Sequence, residues 1–172
     1  VKKVLYDSQL RIQTISRVHE FMYQSDTLKE IDIKEFIDQL VVDIRALYEN
    51  EENRDIRFEM DTDSFYLPVD RAVPVGLIMN ELTSNSIKNA FHPDLEVSSE
   101  KTIRLFFHPT EDRVRFGVSD NGRGFPDEYW HKSSITLGIE LVTTLTEQLG
   151  GRISFENNSG THGSIVKVDI PK

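Results

Sequence analysis

The strongest structural signal in the sequence is an apolar stripe at helical spacing between residues 33 and 48. Its members are Ile33, Phe36, Ile37, Leu40, Val41, Ile44, Leu47 and Tyr48. Asp32 stands where a helix N-cap is expected, and Glu35 follows three residues later. A helix with one apolar face must bury that face against another element, so this segment predicts a fold built of packed layers.

Three further segments predict helices. The apolar positions of residues 1–23 follow mostly helical steps without Pro or Gly, which predicts one long N-terminal helix. Residues 70–91 predict another helix, with Pro74 in its first turn. Residues 138–149 predict the last helix, which ends at Gly150-Gly151 because glycine can adopt the left-handed conformation found at helix ends.

Alternating side chains predict strands between these helices. The strand-like runs are residues 56–60, 102–108, 113–119, 152–156 and 164–170. The last four form two pairs, each joined by turn residues. We therefore expect an α/β (α+β) two-layer sandwich, with a mixed, largely antiparallel sheet covered by helices and preceded by the long N-terminal helix.

Composition excludes several classes of function. The 172 residues have room for one full domain and one extra helix, and the net charge of −9 comes without any basic run. Nucleic acid and anionic lipid both require clustered Lys and Arg, so we expect neither as a partner. The absence of cysteine excludes disulfides, a thiolate nucleophile and a cysteine zinc site. No apolar run approaches the roughly 18 residues of a membrane span and no signal peptide is present, so we expect a cytoplasmic domain.

Glu81, Asn85 and Lys88 form the first candidate site. On a helix these side chains lie within about 60° of one another, while the opposite side is apolar. The polar face therefore needs solvent or a ligand. An asparagine oxygen suits Mg²⁺, which takes further oxygens from water and substrate phosphates. Lys88 could contact a phosphate, and Glu81 could orient a nucleophile or accept its proton. A solvated helix face is the simpler explanation of this triple taken alone.

The second candidate site is the segment Asp120-Asn121-Gly122-Arg123-Gly124 at the end of a predicted strand. Gly122 and Gly124 allow the backbone to approach a flat ligand and to adopt torsions closed to other residues. The carboxylate of Asp120 can accept from an exocyclic amine such as that of adenine. A simple turn explains the segment equally well. Residues 125–136 follow as a polar connection that we interpret as a lid.

Thr136, Leu137, Gly138 and Ile139 form the third candidate site, at the start of the last predicted helix. Free backbone N–H groups at a helix start bind anions, and a glycine there lets a phosphate come close. Taken alone, an ordinary helix start is the favoured explanation. The Walker pattern G-x-x-x-x-G-K-[ST] does not occur, which excludes a P-loop enzyme.

In this order and spacing, the three segments resemble the GHKL ATPase superfamily and, within it, the sensor histidine kinases. Residues 80–91 are similar to the N box, residues 120–124 to the G1 box, and residues 137–139 to a short G2 box. Gly163-Ser164 resembles the Gly-Thr pair that lines the adenine side in the family. The resemblance covers nearly the whole chain.

The resemblance implies binding of ATP and Mg²⁺ and assigns roles to particular residues. It implies that Asn85 is the Mg²⁺ ligand, that Glu81 is the catalytic carboxylate, that Lys88 lies near phosphate and that Asp120 binds the adenine amino group. The other nucleotide-binding residues that we expect are Gly122, Gly124, Thr136, Leu137, Gly138, Ile139 and Ser164.

Residues 18–25 are similar to the end of the second dimerisation helix in the histidine kinase subgroup with a short lid. We therefore divide the chain into residues 1–25, a remnant of the dimerisation hairpin, and residues 26–172, the ATP-binding domain. The resemblance implies a homodimer, a phosphoacceptor histidine hairpin and a response regulator as partners. The basic, Asn-rich acceptor motif of that subgroup is absent, so we expect the acceptor outside this fragment. His19 lies at the wrong end of the hairpin to replace it.

Two alternatives remain open from the sequence. One is a serine kinase of the anti-sigma type from the same superfamily, against which the long N-terminal helix argues, since those proteins lack a dimerisation hairpin. The other is a non-catalytic module that senses nucleotide or docks a partner. The presence of both Glu81 and Asn85 argues against that module.

Overall fold

The computed structural model describes residues 2–24, 30–48, 55–91, 100–125, 136–158 and 162–172, with side chains of the first helix from residue 8 to residue 20. The helices are α1 (Lys2–Gln24), α2 (Ile33–Tyr48), α3 (Val69–Asn89) and α4 (Leu137–Gln148). The strands are β1 (Glu30–Asp32), β2 (Arg57–Thr62), β3 (Tyr66–Pro68), β4 (Thr102–Pro109), β5 (Arg113–Asp120), β6 (Arg152–Asn157) and β7 (Ser164–Pro171). All four predicted helices are present.

Five strands form the main sheet in the order β2-β4-β5-β7-β6. Strands β2 and β4 are parallel, and the other neighbours are antiparallel. Helices α2, α3 and α4 pack against this sheet. Every second residue of β7 is buried, which shows that one face of the sheet is covered. The predicted two-layer sandwich with a mixed sheet is confirmed.

The sequence predicted a mixed sheet but did not say that β2 and β4 would be its parallel pair. Parallel strands require a long crossover connection, usually a helix. Here the crossover contains β3 and α3, and α3 packs against β4 and β5. This crossover positions the polar residues of α3 beside the end of β5.

A second, two-stranded sheet pairs β1 with β3, and the sequence analysis missed it. Ile31 lies opposite Leu67 in this antiparallel pair, and both side chains are buried. The backbone N–H of Ile33 donates to the carbonyl of Phe65 at 2.9 Å. Strands of three residues are too short to show alternation, so nothing in the sequence pattern indicated them.

The starts of α2 and α3 differ in how well the sequence predicted them. The Oδ1 atom of Asp32 accepts hydrogen bonds from the backbone N–H groups of Lys34 (3.0 Å) and Glu35 (3.4 Å), which confirms the predicted N-cap. Helix α3 begins at Val69, so Pro74 lies in its second turn and not in its first turn as predicted. A proline there removes one hydrogen bond of the helix.

Helix α1 packs against α3 and α2 through one face. Leu10, Thr14 and Val18 are each at most 1% exposed. The closest approach occurs at Gly76 of α3, where an added Cβ would lie 2.5 Å from the ring of Phe36 and 3.0 Å from Thr14. Gly76 therefore allows three helices to converge, and a larger residue would push them apart.

An ion pair also fixes α1 to α2. The guanidinium of Arg17 donates to both carboxylate oxygens of Asp43, with Nε to Oδ2 at 2.9 Å and Nη2 to Oδ1 at 3.0 Å. These hydrogen bonds raise the pKa of Arg17 above its usual range, so the side chain stays charged. Such a two-point contact fixes the rotation of α1 about its axis as well as its distance from α2.

The register of β5 against β7 can be tested at Gly117. An added Cβ there would lie 2.0 Å from the carbonyl oxygen of Val166 and 2.9 Å from the ring of Phe106. We expect Gly117→Ala to lower the free energy of unfolding by about 3 kcal/mol, because a backbone carbonyl in a central strand pair cannot move aside. Urea unfolding followed by circular dichroism measures this. The control Ser119→Ala adds no atom to the same strand and should change stability by at most about 0.5 kcal/mol. Equal effects of the two variants would contradict the register.

Candidate functional site

The carboxylate of Asp120 lies at the end of β5 and is 6% exposed. It accepts hydrogen bonds from Ser86 Oγ (3.1 Å), the backbone N–H of Gly122 (3.0 Å), Ser164 Oγ (2.8 Å) and the backbone N–H of Ser164 (3.3 Å). The donors come from α3, from the loop after β5 and from β7. A buried carboxylate needs such partners, so Asp120 fixes three segments around one point.

The two glycines of the loop after β5 serve different purposes. An added Cβ on Gly122 would lie 2.2 Å from the carbonyl oxygen of Ala90, which accepts from the backbone N–H of Arg123 at 2.9 Å. Gly122 therefore lets the loop dock on the end of α3, whereas the sequence analysis expected it to admit a ligand. Gly124 has φ +76°, which confirms the expectation of a torsion that other residues avoid.

Gly163 determines where Ser164 lies. Its φ of +122° is accessible to glycine, and an added Cβ would lie 2.0 Å from the carbonyl oxygen of Asp120. Asn158 closes this turn, because its backbone N–H donates to the carbonyl of Gly163 at 3.1 Å and its side chain to the carbonyl of Asp120 at 3.3 Å. The beginning of β7 is thus held against the end of β5.

A pocket of about 190 Å³ opens above Asp120. Its lining combines the buried carboxylate with apolar side chains, among them Leu82, Ala90, Phe125 and Val166. A pocket that combines apolar side chains with a directed acceptor suits a flat ring that carries an amino group. Asp120 and Gly124 of the predicted G1 box line this cavity, together with Ser164.

A second pocket of about 340 Å³ adjoins the first, since Asn85, Asn89 and Thr136 line both. It lies between α1, α3 and the start of α4, and Arg11 and Lys88 are among the side chains in its wall. Small-molecule sites typically measure roughly 300–1,000 Å³, and the two pockets together lie in that range. The structure thus places side by side one compartment above the carboxylate of Asp120 and one whose wall includes Arg11, Glu81 and Lys88.

The start of α4 forms one wall of the second pocket, as the third candidate site predicted. Thr136, Leu137, Gly138 and Ile139 all line it. Thr136 is the N-cap, and its Oγ1 accepts from the backbone N–H of Ile139 at 3.4 Å. The N-terminus of a helix carries a partial positive charge, which favours an anion in this compartment.

The sequence analysis expected the face of α3 that carries Glu81 to meet solvent or a ligand, and in the structure Glu81 is instead largely covered by α1. Its side chain is 8% exposed because α1 covers this face of α3. Arg11 of α1 donates to both carboxylate oxygens, with Nε to Oε1 at 2.7 Å and Nη2 to Oε2 at 3.0 Å. Sequence reasoning missed Arg11. Its position beside the apolar face of α1 was visible, but the helix that α1 would pack against was not.

Asn85 and Lys88 line the second pocket beside Glu81, so the predicted triple is assembled in one place. The Oδ1 atom of Asn85 accepts from Asn89 Nδ2 at 2.7 Å. An amide oxygen has a second lone pair, so this atom fits a Mg²⁺ ligand. The ammonium of Lys88 lies 5.8 Å from the ring centroid of Tyr48. Asn89 is a further polar residue of the site that the sequence analysis did not name.

Some predicted features lie partly or wholly outside the described residues. Residues 126–135, the central part of the predicted lid, are outside them. His19 is exposed on α1. In the described part of the chain, no group of three or more His, Asp or Glu side chains is arranged to hold a metal. None of the described helices combines the length and apolarity needed to cross a membrane.

Comparison with known families agrees with this geometry. Residues 70–172, more than half of the chain, match the family model described as "Histidine kinase-, DNA gyrase B-, and HSP90-like ATPase". The chain belongs to this ATPase family, which implies that it binds ATP. Residues 1–48 match a second model, described as "Histidine kinase". The two matches confirm the resemblance to the ATP-binding domain of sensor histidine kinases.

Curated proteins that are similar to this chain are named histidine kinases. The chain is 29% identical over 116 residues to "Blue-light-activated histidine kinase 2" of Erythrobacter litoralis, which covers 67% of this chain and 32% of the relative. It is 25% identical to "Sensor histidine kinase PdtaS" of Mycobacterium tuberculosis, over 99% of this chain and 33% of the relative. The chain therefore spans about a third of the length of the curated relatives it matches.

Solved structures show the same fold. The histidine kinase domain of the Erythrobacter litoralis EL346 blue-light activated histidine kinase has a TM-score of 0.79 at 22% identity, over 96% of this chain and 74% of that one. The mycobacterial sensor histidine kinase MprB has a TM-score of 0.64 at 17% identity, over 83% of this chain and 96% of that one. At these identities the likeness concerns the fold alone.

The donors around Asp120 predict a measurable loss when one is removed. Ser164→Ala deletes the hydroxyl that donates to the buried carboxylate at 2.8 Å, so we expect the free energy of unfolding to fall by about 2 kcal/mol. Thermal or urea unfolding measures the change. Ser154→Ala is the control, because that hydroxyl donates to exposed Glu156 at 3.4 Å, and it should cost at most about 0.5 kcal/mol. A loss no larger than that of the control would show that Asp120 does not depend on Ser164.

Proposed function

We propose that this chain is the ATP-binding catalytic domain of a two-component sensor histidine kinase. It transfers the γ-phosphoryl group of ATP to a histidine outside this chain, from which an aspartate of a response regulator takes it. The observation that carries the proposal is the buried carboxylate of Asp120 at the base of an apolar pocket. The family match of residues 70–172 and the names of the relatives support it.

Asp120 binds the adenine ring in this proposal. Its carboxylate accepts from the exocyclic amine, while Ser164 and Gly122 hold it in place. Leu82 and Val166 enclose the faces of the ring. Removing one hydrogen-bonding partner from a buried polar group costs more than the bond itself contributes, so a ring without the amino group would bind poorly.

The phosphates occupy the second pocket in this proposal. The free N–H groups at the start of α4, around Gly138, face the charge of the phosphates, and Lys88 adds a positive charge. Asn85 would hold Mg²⁺, which when bound neutralises negative charge on the phosphates. Since Asn85 lines both pockets, it would lie where the sugar end and the phosphate end of the nucleotide meet.

Glu81 acts on the acceptor. The attacking imidazole nitrogen forms a bond to the γ-phosphorus while the bond from that phosphorus to the leaving oxygen of ADP breaks. The N–H on the other side of the imidazole is then the group that a carboxylate can orient and deprotonate. Glu81 lines the second pocket, where the phosphates would lie, which supports this role.

The partners and the location follow from the same assignment. We propose that α1 belongs to a dimerisation hairpin, that the whole protein is a homodimer, and that the domain works in the cytoplasm. The family model matched by residues 1–48 supports the hairpin. The division at residue 25 stays a prediction.

Nucleotide binding tests the proposal directly. We expect ADP to bind the wild-type chain in calorimetric titration, and Mg²⁺ to strengthen binding of a non-hydrolysable ATP analogue. Asp120→Ala should weaken ADP binding at least about tenfold, because it removes the acceptor for the amine. Asp61→Ala removes an exposed carboxylate of β2 and should leave binding unchanged. Failure of the wild-type chain to bind ADP would contradict the proposal.

Phosphoryl transfer tests the role of Glu81. With a dimerisation hairpin that carries the acceptor histidine supplied in trans, we expect Glu81→Gln to slow transfer from radiolabelled ATP by roughly 10²–10⁴-fold, while ADP affinity stays unchanged. Glu59→Gln, on the edge strand β2, is the matched control. Transfer at the wild-type rate by Glu81→Gln would contradict the catalytic role of Glu81. Absence of transfer by a wild-type chain that binds ATP would favour a nucleotide-sensing module over a kinase.

A further inference from the structure

The residue that holds Glu81 comes from α1, outside the segment that matches the ATPase family. The guanidinium of Arg11 contacts both carboxylate oxygens at 2.7 and 3.0 Å, and the Arg11 side chain is 27% exposed against 8% for Glu81. Two parallel hydrogen bonds between a planar guanidinium and a carboxylate are among the strongest side-chain contacts. Glu81 is therefore held in one orientation by another part of the chain.

The start of α4 also lies close to Glu81. An added Cβ on Gly138, at the start of α4, would lie 2.8 Å from Glu81 Oε2. The carboxylate thus contacts α1 and lies close to the start of α4. The guanidinium engages both of its oxygens, so while that contact lasts the carboxylate is less available to an imidazole or a water molecule.

The contact between α1 and α3 buries a polar atom that has no hydrogen-bond donor among the described residues. Asn80 of α3 is 1% exposed, and its Oδ1 has no hydrogen-bond donor among the described residues. Its Nδ2 donates to Thr14 of α1 over 3.3 Å, and Thr14 already donates its own hydroxyl to the carbonyl of Leu10. A buried acceptor without a donor is costly, and moving α1 away returns it to water. The contact is therefore suited to being made and broken.

We propose that Arg11 is a positioning residue that withholds Glu81 from the reaction while α1 is docked on α3. Phosphoryl transfer then requires the guanidinium to leave the carboxylate, so that movement of α1 controls the catalytic group. This inference rests on the proposed function, because it takes Glu81 as the residue that acts on the acceptor.

The chain contains a matched control for this proposal. Arg17, also on α1, makes the same two-point contact with Asp43 of α2, at 2.9 and 3.0 Å. Arg11 lines the second pocket, whereas Arg17 lines neither of the two pockets in the described part of the chain. Replacing either arginine loosens α1, but only replacement of Arg11 releases Glu81.

The test is Mg²⁺-dependent hydrolysis of ATP by this chain, with water as the acceptor. The water oxygen forms a bond to the γ-phosphorus, the bond to ADP breaks, and Glu81 receives the proton of the water. We expect Arg11→Gln to raise the rate at least about fivefold, the lower end of typical coupling between sites, with unchanged ADP affinity by calorimetry. We expect Arg17→Gln to leave the rate within about twofold, since it does not touch Glu81. Hydrogen exchange of the α1 amides shows whether both variants loosen the helix.

The double variant Arg11→Gln/Glu81→Gln separates this role from a structural one. If Arg11 acts through Glu81, the gain disappears in the double variant, whereas a gain from a merely looser structure persists. A lower or unchanged rate in Arg11→Gln, or an equal gain in Arg17→Gln, would overturn the proposal. Failure of the wild-type chain to bind ADP would instead refute the proposed function. The failure of this inference and the failure of the proposed function are therefore distinguishable.

Discussion

Burial of one carboxylate organises the functional half of this structure. Asp120 is 6% exposed, and a charge in that position is tolerated because donors surround it. Those donors tie the end of β5 to α3 and to the start of β7, and two glycines make the approach possible. Gly122 admits the carbonyl of Ala90, and Gly163 admits the backbone of Asp120 itself. The same hydrogen bonds therefore satisfy the buried carboxylate and shape the pocket above it.

A second buried carboxylate, Glu81, is satisfied in a different way. Its partner is a side chain from α1, 70 residues away in sequence. Asp120 is held by its own domain, whereas Glu81 is held by a helix that matches a separate family model. In the proposed function, Asp120 is thus a fixed group that binds the nucleotide base. Glu81 is a catalytic group whose availability depends on the neighbouring helix α1.

Local patterns predicted the parts of the structure that local physics determines. The apolar stripe of α2 and its cap at Asp32 were correct, because helix periodicity and capping involve neighbours in sequence. Residues from all three candidate segments named in the sequence line the two adjoining pockets. Arg11 was missed because the partner of an exposed arginine cannot be inferred without knowing how helices pack. The contact of Gly122 with Ala90 was not foreseen for the same reason, since Ala90 approaches it only in the folded chain.

The central claim is that a nucleotide base binds against Asp120. The most direct measurement is a titration of isotopically labelled protein with ADP, followed by amide NMR. We predict that the largest chemical-shift changes occur at the amides of Gly122, Gly124 and Ser164, while the amide shifts of the edge strand β2 do not change. Changes scattered over the sheet, or a cluster elsewhere, would contradict it.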